Sequence, residues 1–208
     1  YNTFVKVKKK EVENMEERQD GNVIQRDIEK EMRTAYIDYA SAVEEKVSEY
    51  LDKGIKDIIV LEDRRNRNIT NDMIIGGQHA FLKHGLEFDN YLEYSNDERS
   101  TYKYLRSYFK IHRDCKLMIV SRDSQALAVV NAARENNISI PDDMELICLN
   151  DTKYCSMVRP KISGFVVPTY DLGAVAMRVM TKMLKDEVVE EKQKVLGYLF
   201  RERESTKK

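Results

Sequence analysis

Three uninterrupted apolar runs, KDIIVLE (56–62), KLMIVS (116–121) and ELICLN (145–150), constrain the fold of this chain more than any other feature. A strand wetted on one face alternates apolar and polar side chains, whereas a strand covered on both faces keeps apolar residues in successive positions. Segments with helical spacing separate the runs. YASAVEEKVSEYLDKG (39–54) puts Ala40, Val43, Val47, Tyr50 and Leu51 on one face, and Gly54 is placed to end the helix. A polar loop, DRRNRNITND (63–72), leads to a helix over MIIGGQHAFLKHG (73–85) that stops at Gly85. A short strand at YLEYS (91–95) follows, then a helix over TYKYLRSYFKIHR (101–113) with Tyr104, Leu105, Tyr108 and Phe109 inward. A further helix runs from Asp123 to about Asn136, and the turn SIPDD precedes the last of the three runs.

Apolar strands separated by helices predict an open α/β domain, a parallel sheet wrapped on both faces by right-handed crossovers. Ligands of such sheets bind at the carboxyl ends of the strands, which directs attention to residues 63–72, 121–125 and 149–158. The first forty residues repeat the pattern in shorter form: NTFVKV as a strand, KKEVENMEERQDG as a helix closed by Gly21, then NVIQRD and MRTAYIDY as strands. So few elements bury little core alone. With a start at Tyr1 in mid-strand, they read as the tail of a second α/β lobe whose beginning is missing. Two lobes require crossings, and the irregular link after Asn150 is expected to be one: the chain leaves for the other lobe there and returns near its end.

The composition excludes several classes. A hydrophobic fraction of 42% supplies a core, and a net charge of −1 lacks the electrostatic footprint of a DNA-binding surface. The basic cluster from Lys6 to Lys10 reads as a solvated strand end. Cys115, Cys148 and Cys155 are odd in number, lack metal-ligand spacing and suit a reducing cytoplasm. His79 and His84 stand five apart, not the four that stacks ligands on a helix, and neither they nor His112 accompany a nucleophile motif. No enzyme, metal or cofactor is expected. No apolar run approaches membrane length, and no signal peptide is visible.

Several motifs in collinear order carry a resemblance to a family. SRDSQALAVVNAARENNISIPDDMELICLND (121–151), RPKISGFVVPTYDLGAVAMRVMTKML (159–184) and the terminal RESTK (203–207) are similar to the effector-binding domain of the LacI/GalR transcription regulators. The resemblance covers residues 23–208 in order, and YDLGAVAMR with the terminus is most similar to the catabolite control protein branch. It implies a periplasmic-binding-protein-like fold: two lobes of parallel sheet flanked by helices, here with the N-terminal lobe incomplete. The expected division is a lobe remnant over 1–38, a C-terminal lobe over 39–150, and lobe crossover, last strand, helix and tail over 151–208. The helix-turn-helix domain of the family is absent from these residues, so operator DNA would be bound by that missing part.

The resemblance also nominates residues. The family's effector-gripping arginine falls at Met73, which fits either a plain helix contact or a pocket wall. Arg67 falls where purine-binding members place an arginine, although Arg64, Arg65 and Arg67 also fit a solvated loop. Arg122 and Asp123 take the second contact, and Asp123 is also well placed to cap the following helix. Asn150 takes the place of an acid that holds effector hydroxyls, keeping the hydrogen-bonding capacity without the charge. Together, Met73 and Asn150 imply a retuned pocket or one that no longer takes a small molecule. In the catabolite control branch a seryl-phosphorylated phosphocarrier protein is contacted through a tyrosine and an arginine eight residues later, matched by Tyr170 and Arg178. A further arginine of that site falls at Leu199.

The expected function is therefore effector sensing and dimerisation in a cytoplasmic LacI-type regulator. Its partners would be a sugar or related metabolite, or the phosphorylated carrier protein, and a second copy of the chain. The dimer is expected to form through the helix around Ile74, Gln78 and Phe81 and the YLEYS strand. The competing reading is a solute-binding protein of a transport system, which shares the fold.

Overall fold

The computed structural model describes residues 35–62, 67–88, 90–93, 98–185, 187 and 194–207, all within the compact unit formed by residues 33–208. The elements expected before residue 35, the arginines at 64 and 65, and the end of the YLEYS strand lie outside the described residues. In chain order the elements are β1 (Ala35–Ile37), α1 (Tyr39–Asp52), β2 (Ile58–Glu62), α2 (Arg67–Lys83), β3 (Tyr91–Glu93), α3 (Glu98–Tyr108) and β4 (Leu117–Val120). They continue with α4 (Asp123–Glu135), β5 (Glu145–Cys148), α5 (Lys153–Met157), β6 (Ser163–Val166), α6 (Thr169–Leu184), β7 (Lys194–Leu196) and β8 (Leu199–Arg201).

Six strands form one sheet in the order β3-β2-β4-β5-β6-β8. Five run parallel, and β8 closes the far edge antiparallel to β6. Successive residues of each apolar run go to opposite faces. Ile58, Val60, Leu117, Ile119 and Ile147 pack under α1 and α2. Leu61, Met118, Val120, Leu146 and Cys148 pack under α3 and α4. Two-sided burial is the physical reason the runs are continuous.

The helix ends follow local chemistry. Asp38 caps α1 by accepting the Ser41 N–H (2.9 Å) and the Ser41 hydroxyl (2.7 Å). Gly54 (φ +80°) and Gly85 (φ +68°) turn the chain out of α1 and α2 through the left-handed region, as expected. Inside α2, Gly76 lets the two helices touch: a Cβ there would lie 2.4 Å from the Ala40 carbonyl oxygen. Gly77 similarly leaves room for the Phe88 ring.

Three expectations are corrected. First, α2 begins at Arg67, six residues before the predicted start; no Gly or Pro occurs from 63 to 75, so polarity alone does not stop the helix. Second, Phe81 is 3% exposed, with its ring 4.9 Å from that of Phe88, in the core against the sheet. It is unavailable to a partner chain. Ile74 is half-buried against the same core, Gln78 is exposed, and the outward stripe of α2 is Ile75, Gln78 and Leu82.

Third, the chain does not leave its sheet after Asn150. The Asp151 N–H donates to the Phe165 carbonyl (2.9 Å) and the Ile162 N–H to the Cys155 carbonyl (2.8 Å), bringing β6 alongside β5. Cys155 and Ile162 are fully buried beneath this connection, which anchors it. The departure comes after Val166, through α6 to β7, which pairs in parallel with β1. The return is β8, followed by the RESTK segment. Ser205 exchanges bonds with Leu146: its carbonyl accepts the Leu146 N–H (2.9 Å) and its hydroxyl donates to the Leu146 carbonyl (2.6 Å). Thr206 meets Ser163 hydroxyl to hydroxyl at 2.7 Å, and Ser205 and Thr206 are both buried. The terminal motif is thus a structural clasp over β5 and β6.

Candidate functional site

From β2 the chain moves through α2 to β3 on one side; from β4 it moves through α4 to β5 on the other. The crossovers separate between β2 and β4, which opens a crevice at the carboxyl ends of those strands, the general position of ligands in such sheets. The residues that follow β2, β4 and β5 line this edge.

Ser121 to Gln125 follow β4. The side chain of Gln125 turns back to accept the Ser121 N–H (3.1 Å), the Ser121 hydroxyl (2.9 Å) and the Arg122 N–H (3.3 Å). This network fixes the start of α4, so Asp123 is not the cap: Arg122 holds that position and Asp123 is the first helical residue. The Asp123 carboxylate instead accepts the Ser124 N–H (2.7 Å) and, from the loop after β5, the Thr152 hydroxyl (2.7 Å). Thr152 itself caps α5 by accepting the Tyr154 N–H (3.2 Å). Asp123 and Thr152 therefore tie the loop after β4 to the loop after β5.

Asn150 lies on that second loop, exposed, and its side-chain amide takes no bond from the described residues. Its neighbour Asp151 has the opposite fate. The Asp151 side chain is 2% exposed and is held by Arg201 (3.0 Å) and Arg203 (2.7 Å), joining the loop to β8 and the terminal segment. The acidic position that follows Asn150 is thus structural, and Asn150 is the exposed member of the pair.

The structure brings Arg122, Asp123 and Asn150 to one edge of the sheet. Arg67 opens α2 at the same edge after β2, with only its backbone described. Met73 is fully buried in the helix and sheet core. Tyr170 and Arg178 lie elsewhere, on α6: Tyr170 is 86% exposed and Arg178 is also exposed. Leu199, at 61% exposed, stands where a third basic contact was sought. Thr152 was missed by sequence reading, although a Thr before a short helical segment is a readable cap signal. Among the described residues, no group of three or more His, Cys, Asp and Glu side chains is placed to hold a metal ion. Among them too, no helix is long and apolar enough to cross a membrane.

Comparison with known proteins completes the picture. The periplasmic binding protein-like domain matches residues 47–206. Catabolite control protein A of Staphylococcus xylosus is 31% identical over 173 residues, covering 82% of this chain and 52% of that protein. The HTH-type transcriptional regulator RegA of Clostridium saccharobutylicum is 33% identical over 159 residues, covering 75% of this chain and 48% of that protein. The transcription regulator CcpA of Lactococcus lactis superposes with a TM-score of 0.73 at 28% identity, over 83% of this chain and 64% of that one. The chain spans about half the length of the curated relatives it matches.

Proposed function

The chain belongs to the periplasmic binding protein-like domains of the LacI/GalR type, and from that premise we propose that it senses an effector and dimerises within a transcription regulator. The observation that carries this reading is the meeting of Arg122, Asp123 and Asn150 at the carboxyl edge of the sheet, with the loops after β4 and β5 tied by Asp123 and Thr152. The effector is a small neutral or weakly polar hydroxylated molecule. Asn150 donates and accepts toward hydroxyls without a charge, Arg122 provides a planar donor set, and Met73 is buried in the core.

Binding between the loops stabilises one arrangement of them over another, and only that difference in affinity moves the equilibrium. A second copy would read the shift through the outward stripe of α2, Ile75, Gln78 and Leu82, with edge strand β3 and its exposed Tyr91 beside it. Operator DNA would be engaged by a domain beyond these residues.

Electrophoretic mobility shift of the complete gene product tests the regulator reading. A ligand that stabilises the protein is expected to change its affinity for an operator by about tenfold, corresponding to a coupling of about 1.4 kcal/mol. A stabilising ligand with no effect on DNA binding, or no DNA binding at all, would favour a solute-binding protein instead.

A second reading has its own observation. Tyr170 and Arg178 are both exposed and share one side of α6 about two turns apart. Such a pair suits a phosphorylated protein surface, with the arginine on the phosphate. The carrier protein of the catabolite control branch is the corresponding candidate.

A further inference from the structure

Two buried sulfurs lie at the same edge of the sheet. Cys148 ends β5 and Cys155 sits in α5, seven positions later, and neither has exposed surface. Both point at one atom: the carbonyl oxygen of Asn150 lies 3.3 Å from the Cys148 sulfur and 3.8 Å from the Cys155 sulfur. The third cysteine is separate. Cys115 is buried just before β4, at the opposite edge of the sheet, and donates to the Leu117 carbonyl at 3.3 Å.

We propose that Cys148 and Cys155 are a dithiol that hydroperoxides oxidise to an intramolecular disulfide, closing the loop that carries Asn150, Asp151 and Thr152. This would put the redox state of the chain directly under the residues that face the crevice, whichever ligand binds there.

The two thiols divide the chemistry. The neighbouring Cys148 thiol brings Cys155 down to about 7 against the cost of its burial. Cys148 is raised well above the ordinary thiol range by the neighbouring Cys155 sulfur and by burial. Cys155 is therefore the nucleophile and Cys148 the resolving thiol. The Cys155 thiolate attacks one oxygen of hydrogen peroxide; an S–O bond forms, the O–O bond breaks, and hydroxide leaves to take up the proton that Cys155 released. The Cys148 sulfur then attacks the sulfenic sulfur of Cys155. The S–S bond forms as the sulfenic hydroxyl departs with the Cys148 proton as water. Two thiols and one peroxide become one disulfide and two waters.

Access comes through α5. It is a single turn of five residues with Tyr154 and Met157 exposed on its outside, and opening it disturbs far less packing than global unfolding. Cys115, pushed up to about 12 by burial, first, and by Asp114, lies between strand and helix and has no such door. It serves as an internal control.

The test is a thiol map of the 208-residue chain after hydrogen peroxide treatment near neutral pH. Remaining thiols are alkylated, and trypsin, which cuts after Lys153, places Cys148 and Cys155 on different peptides. The expected product is a disulfide linking those two peptides, formed at least roughly tenfold faster than Cys115 is lost and reversed by dithiothreitol. Amide exchange between 149 and 155 should slow in the oxidised chain. Loss of Cys115 at the same rate would assign the reaction to global unfolding and overturn the proposal, as would survival of both thiols. In Cys148→Ser, Cys155 should stop at the sulfenic acid and be labelled by a 1,3-dione; absence of label would remove Cys155 as the attacking group.

Discussion

Helices α4 and α6 are written in similar apolar vocabularies, ALAVVNAA in one and LGAVAMRVM in the other, yet α4 buries seven residues and α6 buries none. The difference lies in the neighbours. α4 crosses between two central strands and packs against both the sheet and its neighbour α3, so Ala126, Val129, Val130 and Ala133 lose their water entirely or nearly so. α6 leaves the sheet after β6 and runs toward the small β1 and β7 pair, keeping Tyr170, Met177 and Leu184 exposed along one side. An apolar helix is core only where something covers it; otherwise its sequence is a surface kept for another purpose.

The sharpest break of this contrast is truncation. Leu146→Ala, in β5 beneath α4, should cost about 3 kcal/mol in chemical denaturation, because the sheet cannot collapse into the cavity. Met177→Ala on α6 should stay within about 0.5 kcal/mol. Equal losses would mean that α6 is packed as tightly as α4.

A salt-linked version comes next. Asp151→Ala leaves Arg203, 11% exposed, without its carboxylate, and should cost about 2 to 4 kcal/mol by the same measurement. The charge on exposed Arg178 should be removable by Arg178→Ala at under about 0.5 kcal/mol.

Glycines sharpen the comparison by sign. Gly76→Ala would force a methyl to 2.4 Å from the Ala40 carbonyl and should destabilise by about 1 to 3 kcal/mol. Gly173→Ala, with nothing within 4 Å of the new Cβ, should stabilise by about 0.5 to 1 kcal/mol through helix propensity alone. Thermal denaturation of the two variants in one buffer reads both signs.

The smallest effect is a pH dependence at the helix ends. Asp52 accepts from His84 at 3.0 Å, and that bond, with the Ala80 carbonyl, raises the imidazole above its usual range. A raised folded value means the contribution is complete below the unfolded value near 6.5 and fades as pH rises through the folded one. Wild type should therefore lose a small increment of stability over that window that His84→Gln does not lose. Parallel stability profiles for the two would dismiss the contact.

Much of this fold was legible because its signals are local. The three apolar runs announced strands covered on both faces, Gly54 and Gly85 marked helix ends, and alternation of elements placed the carboxyl edge of the sheet after β2, β4 and β5. What was not legible depends on partners distant in sequence. Nothing local in Ser163–Val166 says that it pairs with β5 and not with another lobe; the bond from Asp151 to Phe165 decides it. The direction of Phe81 was ambiguous because α2 carries apolar residues on two stripes. The pair Gly76 and Gly77 was the available clue to its inner side, small residues marking a close approach. Asp123 looked like a cap because the sequence does not show that Gln125 performs that task and frees the carboxylate for Thr152, nearly thirty residues away. The same holds for the two thiols, whose sulfurs reach the same Asn150 carbonyl only because α5 folds back over the end of β5.

The central claim is that the ligand is recognised at the carboxyl edge of the sheet and not on α6. A thermal-shift panel on the complete gene product, with pentoses, hexoses, sugar phosphates, nucleosides and the phosphorylated carrier protein, tests it most directly. A small molecule at about a hundred times its dissociation constant should stabilise by roughly 2.7 kcal/mol, and Asn150→Ala and Arg122→Ala should each abolish the shift while Tyr170→Ala leaves it intact. A shift produced only by the phosphorylated carrier protein, lost in Tyr170→Ala and kept in Asn150→Ala, would contradict the account and move the site to α6.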